Sequence, residues 1–320
     1  MKKNKIVLLS ITSIFLFAAC ATTSETASAE KQQTHQREKT PTAIIMQDTK
    51  EDSFIISLEG ITITKLSSPK EINTGKMFSE PFIFSVTKAD GNPAEGFALT
   101  IEYPSSKAEG TINFEKTELI TDAEGKVTFT AEQPSFAANT SVKAYPTPVS
   151  EDSSLTERLK PYIAEADWKV KSDLASKGAV LFIWDYNEKD RPEKNSNDIQ
   201  AEFRSRGITM VGNGPVNETS YIGKPKTLYK DTYDIIGGNQ YGYLIYGTIK
   251  FTQPVTAYED ESGYFCIFKA EIEAVSMKNG ELLYSSVTTY ESKGKNWTEC
   301  VTKGKDKLAE LVVNDIIYGL

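Results

Sequence analysis

Ala179-Val180-Leu181-Phe182-Ile183-Trp184 is an unbroken apolar run. A run of this kind, without alternation, predicts a strand buried on both faces of a helix-covered sheet. Ser196 follows and can cap a helix through Arg206, with Ile199 and Phe203 four apart. Gly207 ends that helix, and Ile208–Val211 predicts a second strand. The three elements form a β-α-β unit, for which a right-handed crossover is expected.

Downstream, Tyr229–Ile236 reads as a helix stopped by Gly237-Gly238, and Tyr243–Phe251 as a strand. Two long strands follow, Tyr264–Ser276 and Glu281–Glu291, joined through Asn279-Gly280. Asn-Gly between such runs is the strongest short hairpin signal. An amphipathic helix from Thr298 to Ile317 closes the chain, with Val301, Leu308, Leu311, Val312 and Ile316 as its apolar stripe. Gly304 interrupts its first turns. Strand, helix, strand, helix, then three strands and a helix predict an α/β domain with a mixed sheet over residues 155–320.

Upstream, a helical segment is expected to end near Leu174, carrying Leu159, Ile163, Ala164, Ala166 and Val170, with Pro161 in its first turn. Residues 146–154, rich in Pro, Ser and acids, read as a linker. Residues 51–148 hold short, near-alternating runs: Phe54–Thr64, Phe82–Lys88, Phe97–Tyr103, Thr111–Phe114, Lys126–Ala131 and Ser141–Tyr145. Turn sequences such as Asp90-Gly91-Asn92-Pro93 and Asp122-Ala123-Glu124-Gly125 separate them. That spacing predicts an all-β sandwich. The fold class is therefore two-domain: a β-sandwich followed by an α/β domain.

Residues 20–50 are polar, with few apolar side chains, and read as a flexible tether. His35, the sole histidine, sits there. Ahead of it lie Lys2, Lys3 and Lys5 and an apolar run from Ile6 to Phe17, the pattern of a secretory signal at residues 1–19. The run is too short, and too broken by Ser and Thr, to span a membrane. Removing 1–19 leaves 301 of the 320 residues and takes away three lysines, so the mature side chains sum to −11 instead of −8. An acidic chain argues against nucleic acid and against a polybasic grip on anionic lipid.

Three resemblances add to this reading. Leu16-Phe17-Ala18-Ala19-Cys20 resembles the lipobox of bacterial lipoproteins, with Phe17 where that family usually has Leu. The resemblance implies lipidation at Cys20, cleavage before it, and attachment to membrane through the acyl chains (palmitate-like). Ala21, in place of an inner-membrane Asp, implies the outer membrane. The alternative is an ordinary signal cut after Ala27-Ser28-Ala29. Thr121–Phe129 and Gly91–Phe97 resemble paired segments of bacterial immunoglobulin-like domains, which are spacers or adhesive modules. Residues 176–318 resemble a periplasmic domain shared by the curli-secretion lipoprotein, the penicillin-binding-protein activator, flagellar assembly protein T and the amino-terminal part of the Tol translocation protein. The carriers are Tyr243–Ile249, the Asn279-Gly280-Glu281 turn and the closing helix. That resemblance implies a periplasmic, non-enzymatic scaffold or assembly factor with an envelope protein partner. The alternative is a lipoprotein that binds glycan or another surface ligand.

No catalytic set emerges: one histidine in a tether leaves no Ser-His-Asp or Cys-His site. Two remaining cysteines are too few for zinc. Gly212-Asn213-Gly214 and Gly223-Lys224-Pro225 lack phosphate-loop spacing. Asp185, Glu188, Asp190, Glu193 and Asp198 cluster without the order of a calcium loop and interleave with Lys189, Arg191 and Lys194, as a solvated loop does. No cofactor or metal is expected. Trp168, Trp184 and Trp297 are core candidates or, together, a sugar-stacking surface. Cys266 falls on the apolar face of Tyr264–Ser276, opposite Lys269, Glu271 and Glu273. Cys300 shares the direction of Leu311 on the closing helix. The two could meet as a disulfide or lie as separate buried thiols.

Overall fold

The computed structural model describes residues 49–320 apart from 109, 215–218, 237–239 and 261. Cys20, His35, the signal and the tether lie outside the described residues. Six α-helices and three sheets are described.

Eight strands build the N-terminal part: β1 (Thr62–Ser67), β2 (Ile72–Asn73), β3 (Phe82–Thr87), β4 (Ala98–Ala108), β5 (Thr111–Ile120), β6 (Lys126–Phe129), β7 (Ala138–Pro146) and β8 (Ala164–Lys171). They form sheets ordered β1-β3-β6 and β2-β8-β7-β4-β5. Alternation turns Phe82, Phe84 and Val86 of one sheet toward Leu99, Ile101, Val142 and Trp168 of the other, and these share one core. The Asp122–Gly125 turn is locked by Asp122, whose carboxylate accepts from the Glu124 and Lys126 amides at 3.0 and 2.8 Å. Gly125 has φ +71°, and a Cβ there would meet the Val86 carbonyl at 2.6 Å. Thr121 ties this turn to the Gly91–Phe97 segment: its hydroxyl donates to the Ala94 carbonyl and accepts from the Phe97 amide.

Two segments differ from expectation. Phe54–Thr64 is not one strand: helix α1 (Lys50–Ser57) occupies its first part. The cause is a capping box, Thr49 accepting from the Asp52 amide while Asp52 reaches back to the Thr49 backbone. The segment expected to be helical up to Leu174 holds helix α2 (Ser153–Leu159), a 3₁₀ turn and then β8. Ala164, Ala166, Trp168 and Val170 alternate inward with period two, and β8 pairs antiparallel with β7. Residues 146–154 therefore lie in the connection between two neighbouring strands of one sheet, not between domains. Leu155 and Leu159 of α2 are buried with Leu58 beneath α1.

The C-terminal part is a six-stranded mixed sheet made of β9 (Ala179–Tyr186), β10 (Pro192–Asn195), β11 (Val211–Asn213), β12 (Tyr243–Ala257), β13 (Tyr264–Ser276) and β14 (Leu282–Gly294). Its order is β10-β9-β12-β13-β14, with β11 parallel to β9. β9 is buried at every position and runs parallel to β12, as its unbroken apolar run requires. The second strand begins at Val211 instead of Ile208, because the Ile208 amide is still bonded to the Phe203 carbonyl at the helix end. After α3 (Leu174–Lys177), helices α4 (Asn197–Ser205) and α6 (Trp297–Gly319) cover one face. Helix α5 (Pro225–Ile236) packs over part of the other. Gly304 is needed where α6 meets the sheet: a Cβ there would lie 2.4 Å from Phe268 Cε2. The residue that weakens the helix pattern is the one that lets the helix close on β13.

The far end of α6 reaches the sandwich. The Ser172 amide donates to the Ile317 carbonyl at 2.8 Å. Lys107 Nζ donates to the Gly319 and Ala137 carbonyls. A cation at a helix C-terminus suits the helix dipole.

Candidate functional site

The uncovered part of the C-terminal sheet is the candidate site. It has two components, an edge and a cleft. β14 pairs only with β13, so along its thirteen residues the backbone groups of about every second residue face outward with no strand partner among the described residues. Near the end of the strand the Ser292 carbonyl accepts from Cys300 Sγ at 3.5 Å. Along β14, Tyr284, Ser286, Thr288, Tyr290 and Ser292 turn toward α6 and are the more buried set. Tyr284 is fixed there, its hydroxyl donating to Asp315 at 2.5 Å. Leu282, Leu283 and Val287 remain exposed, Val287 at 62%.

The cleft, of about 340 Å³, lies on the open face where β9, β12, β13 and β14 run side by side under the Tyr221–Pro225 loop. Register sets its floor: Trp184 lies beside Thr248, Thr248 beside Glu271, and Glu271 beside Val287. The next row holds Tyr246, Glu273 and Ser285. The Tyr246 hydroxyl donates to Glu273 at 2.5 Å. Burial, reinforced by that carboxylate, pushes the Tyr246 pKa upward, so the phenol stays protonated and remains a donor. Glu271 is paired with Lys269 at 2.5 Å. The cleft lining itself contains no lysine or arginine.

Residues nominated from sequence fall elsewhere, with one exception. Asp185 is buried on the other face, bonded to Lys305 Nζ at 2.6 Å. Glu188 accepts from the Trp297 indole and the Val255 amide, at 3.0 and 3.2 Å. Asp190 faces Lys250 at 3.5 Å, and Glu193 accepts from Asn187. Asp198 sits in the first turn of α4. Among the described residues no group of three or more His, Cys, Asp or Glu is placed to hold a metal ion. The three tryptophans make no common surface. Trp168 is in the sandwich core, Trp297 is half exposed beside Glu188, and Trp184, the exception, lines the cleft. Tyr246, Glu271 and Glu273 were not singled out as a site; their outward direction on alternating strands was the available signal.

Cys266 and Cys300 do come together. Both are fully buried free thiols, with sulfurs 3.3 Å apart. Burial, with Cys300 beside it, pushes the Cys266 thiol up to about 12.

Residues 178–317 match the family described as TP0693-like lipoprotein, C-terminal domain. That match supports a bacterial lipoprotein and a lipid-anchored envelope protein, without confirming the curli-secretion group. No curated protein matches the chain. The PelC dodecamer from Paraburkholderia phytofirmans is a similar structure, with TM-score 0.28 and 14% identity over 44% of this chain and 87% of that one. Lipoprotein GNA1162 from Neisseria meningitidis gives 0.26 and 16%, covering 43% and 96%. Hypothetical protein CT253 from Chlamydia trachomatis gives 0.26 and 9%, covering 44% and 93%. No described helix is long and apolar enough to cross a membrane.

Proposed function

We propose that this chain is a non-enzymatic lipoprotein of the outer membrane, anchored through Cys20, that docks an envelope protein. An extended segment of that protein adds to the edge of β14. The unpaired edge carries this reading. Along its thirteen residues alternate backbone donors and acceptors face away from β13, and Leu282, Leu283 and Val287 are exposed within the same strand. Strand addition uses those backbone groups for affinity and the alternate side chains for selectivity. The sandwich then acts as an immunoglobulin-like spacer between anchor and docking strand.

The test is backbone hydrogen exchange on the lipidated chain, alone and with the protein that co-purifies after crosslinking in cells. Slower exchange confined to residues 282–294 is the expected result. A co-purifying protein that leaves those amides unchanged and protects another surface overturns the reading.

A further inference from the structure

We propose that the cleft beside β14 is a binding site for a neutral saccharide of one or two pyranose rings. The proposal is independent of strand docking.

The first observation is an unmet donor. Trp184 is 4% exposed and lines the cleft, yet its indole N–H has no acceptor among the described residues. Buried donors are nearly always paired, so an orphan beside an open cleft asks for an acceptor from outside the chain. The second observation is a pair of acceptors in the same cleft, the Glu271 and Glu273 carboxylates, the latter already oriented by the Tyr246 hydroxyl. The third is size: about 340 Å³ falls at the small end of ligand sites, roughly 300–1,000 Å³.

These features select a chemistry. An anion offers only acceptors, and it would face the Glu273 carboxylate and a Glu271 already paired with Lys269, with no lysine or arginine in the lining. An ammonium group offers only donors and leaves Trp184 unmet. Hydroxyl groups donate and accept at once, so one ring can accept from Trp184 while donating to Glu273. Thr248 and Ser285 add further hydroxyl partners on the floor. Tyr221 and Tyr246 supply aromatic surface for the apolar face of a ring.

The full chain is titrated calorimetrically with glucose, galactose, N-acetylglucosamine, maltose and cellobiose, and in parallel with propylammonium, inorganic phosphate and trialanine. Saturable one-to-one binding of at least one saccharide is expected. Trp184→Phe keeps an aromatic ring, removes the donor and should weaken that binding about tenfold. Glu273→Gln should weaken it severalfold, and it carries the test alone if circular dichroism shows Trp184→Phe unfolded. Absence of saturable saccharide binding overturns the proposal. So does saccharide binding that is unchanged in the folded variants, or tighter binding of propylammonium, phosphate or trialanine. Failure here with slowed exchange at 282–294 leaves the docking strand standing, and the reverse pair of results leaves the cleft standing.

Discussion

β5 and β14 occupy the same topological position, the outer edge of a sheet, and their compositions are opposed. β5 places Glu115, Lys116 and Glu118 along its length, with Lys116 3.7 Å from Glu102 on the neighbouring strand. Its pairing with β4 is broken by a register shift at Pro104–Ser106. Charges and bulges are how edges are kept from pairing with other chains. β14 carries no charge from Leu282 to Tyr290, and its one irregularity lies at the hairpin end. One edge is guarded and the other is open. On the function proposed above, the same contrast would separate a spacer that stays single from a surface that is joined.

The largest expected effect concerns what holds β14 from behind, namely β13 and α6. Cys266 on β13 and Cys300 on α6 are expected to be disulfide-bonded in the exported protein. Reduction should lower stability by about 4 kcal/mol, the entropic value for a loop of this length. Hydrogen exchange should then rise in 264–319 while the β4–β5 hairpin is spared. Two alkylated cysteines in the mass spectrum of the non-reduced folded protein would end this expectation.

Next comes Gly304→Val. The added side chain must displace Phe268 and Ser292, so α6 should lift from the sheet at a cost of about 3 kcal/mol in urea unfolding. An unchanged midpoint would show that the close approach of α6 is not needed. Lys107→Met removes the cation from the last carbonyls of α6, at the joint between the two parts. A loss of about 1.5 kcal/mol is expected, and no loss would mean the joint is held without it.

The smallest stability effects belong to the edges themselves. Val287→Lys should change stability by less than about 0.5 kcal/mol while guarding β14 as β5 is guarded. In the converse variant, Glu115→Thr, Lys116→Val and Glu118→Thr together, the β5 guards are gone. Concentration-dependent self-association in size-exclusion chromatography is expected. A strictly monomeric profile would show that the charges on β5 guard nothing.

Much of the C-terminal sheet was legible because its signals are local. The apolar run of β9, the Asn279-Gly280 hairpin and the stripe of α6 each specify their own element. β8 was not, because Ala164, Ala166 and Val170 fit a helical face nearly as well as an alternating one; only pairing with β7 decides. α1 was hidden by Phe54, Ile55 and Ile56, whose strand preference is overruled by the Thr49–Asp52 cap. The meeting of the two thiols was readable as a shared facing direction on two amphipathic elements. The cleft was not, since Trp184, Tyr246 and Glu273 become neighbours only through the order β9-β12-β13, which no stretch of sequence states.

The central claim is that β14 is open to a partner and β5 is closed. Leu283 and Phe114 test it directly, because each lies on one of these edges and each is 40% exposed. A photocrosslinking amino acid is placed at one or the other position in the lipidated full chain, and cells are irradiated. A discrete adduct with one envelope protein from position 283, abolished by Val287→Lys and absent from position 114, is the predicted result. Equal adducts from both positions, or none from 283, would contradict it.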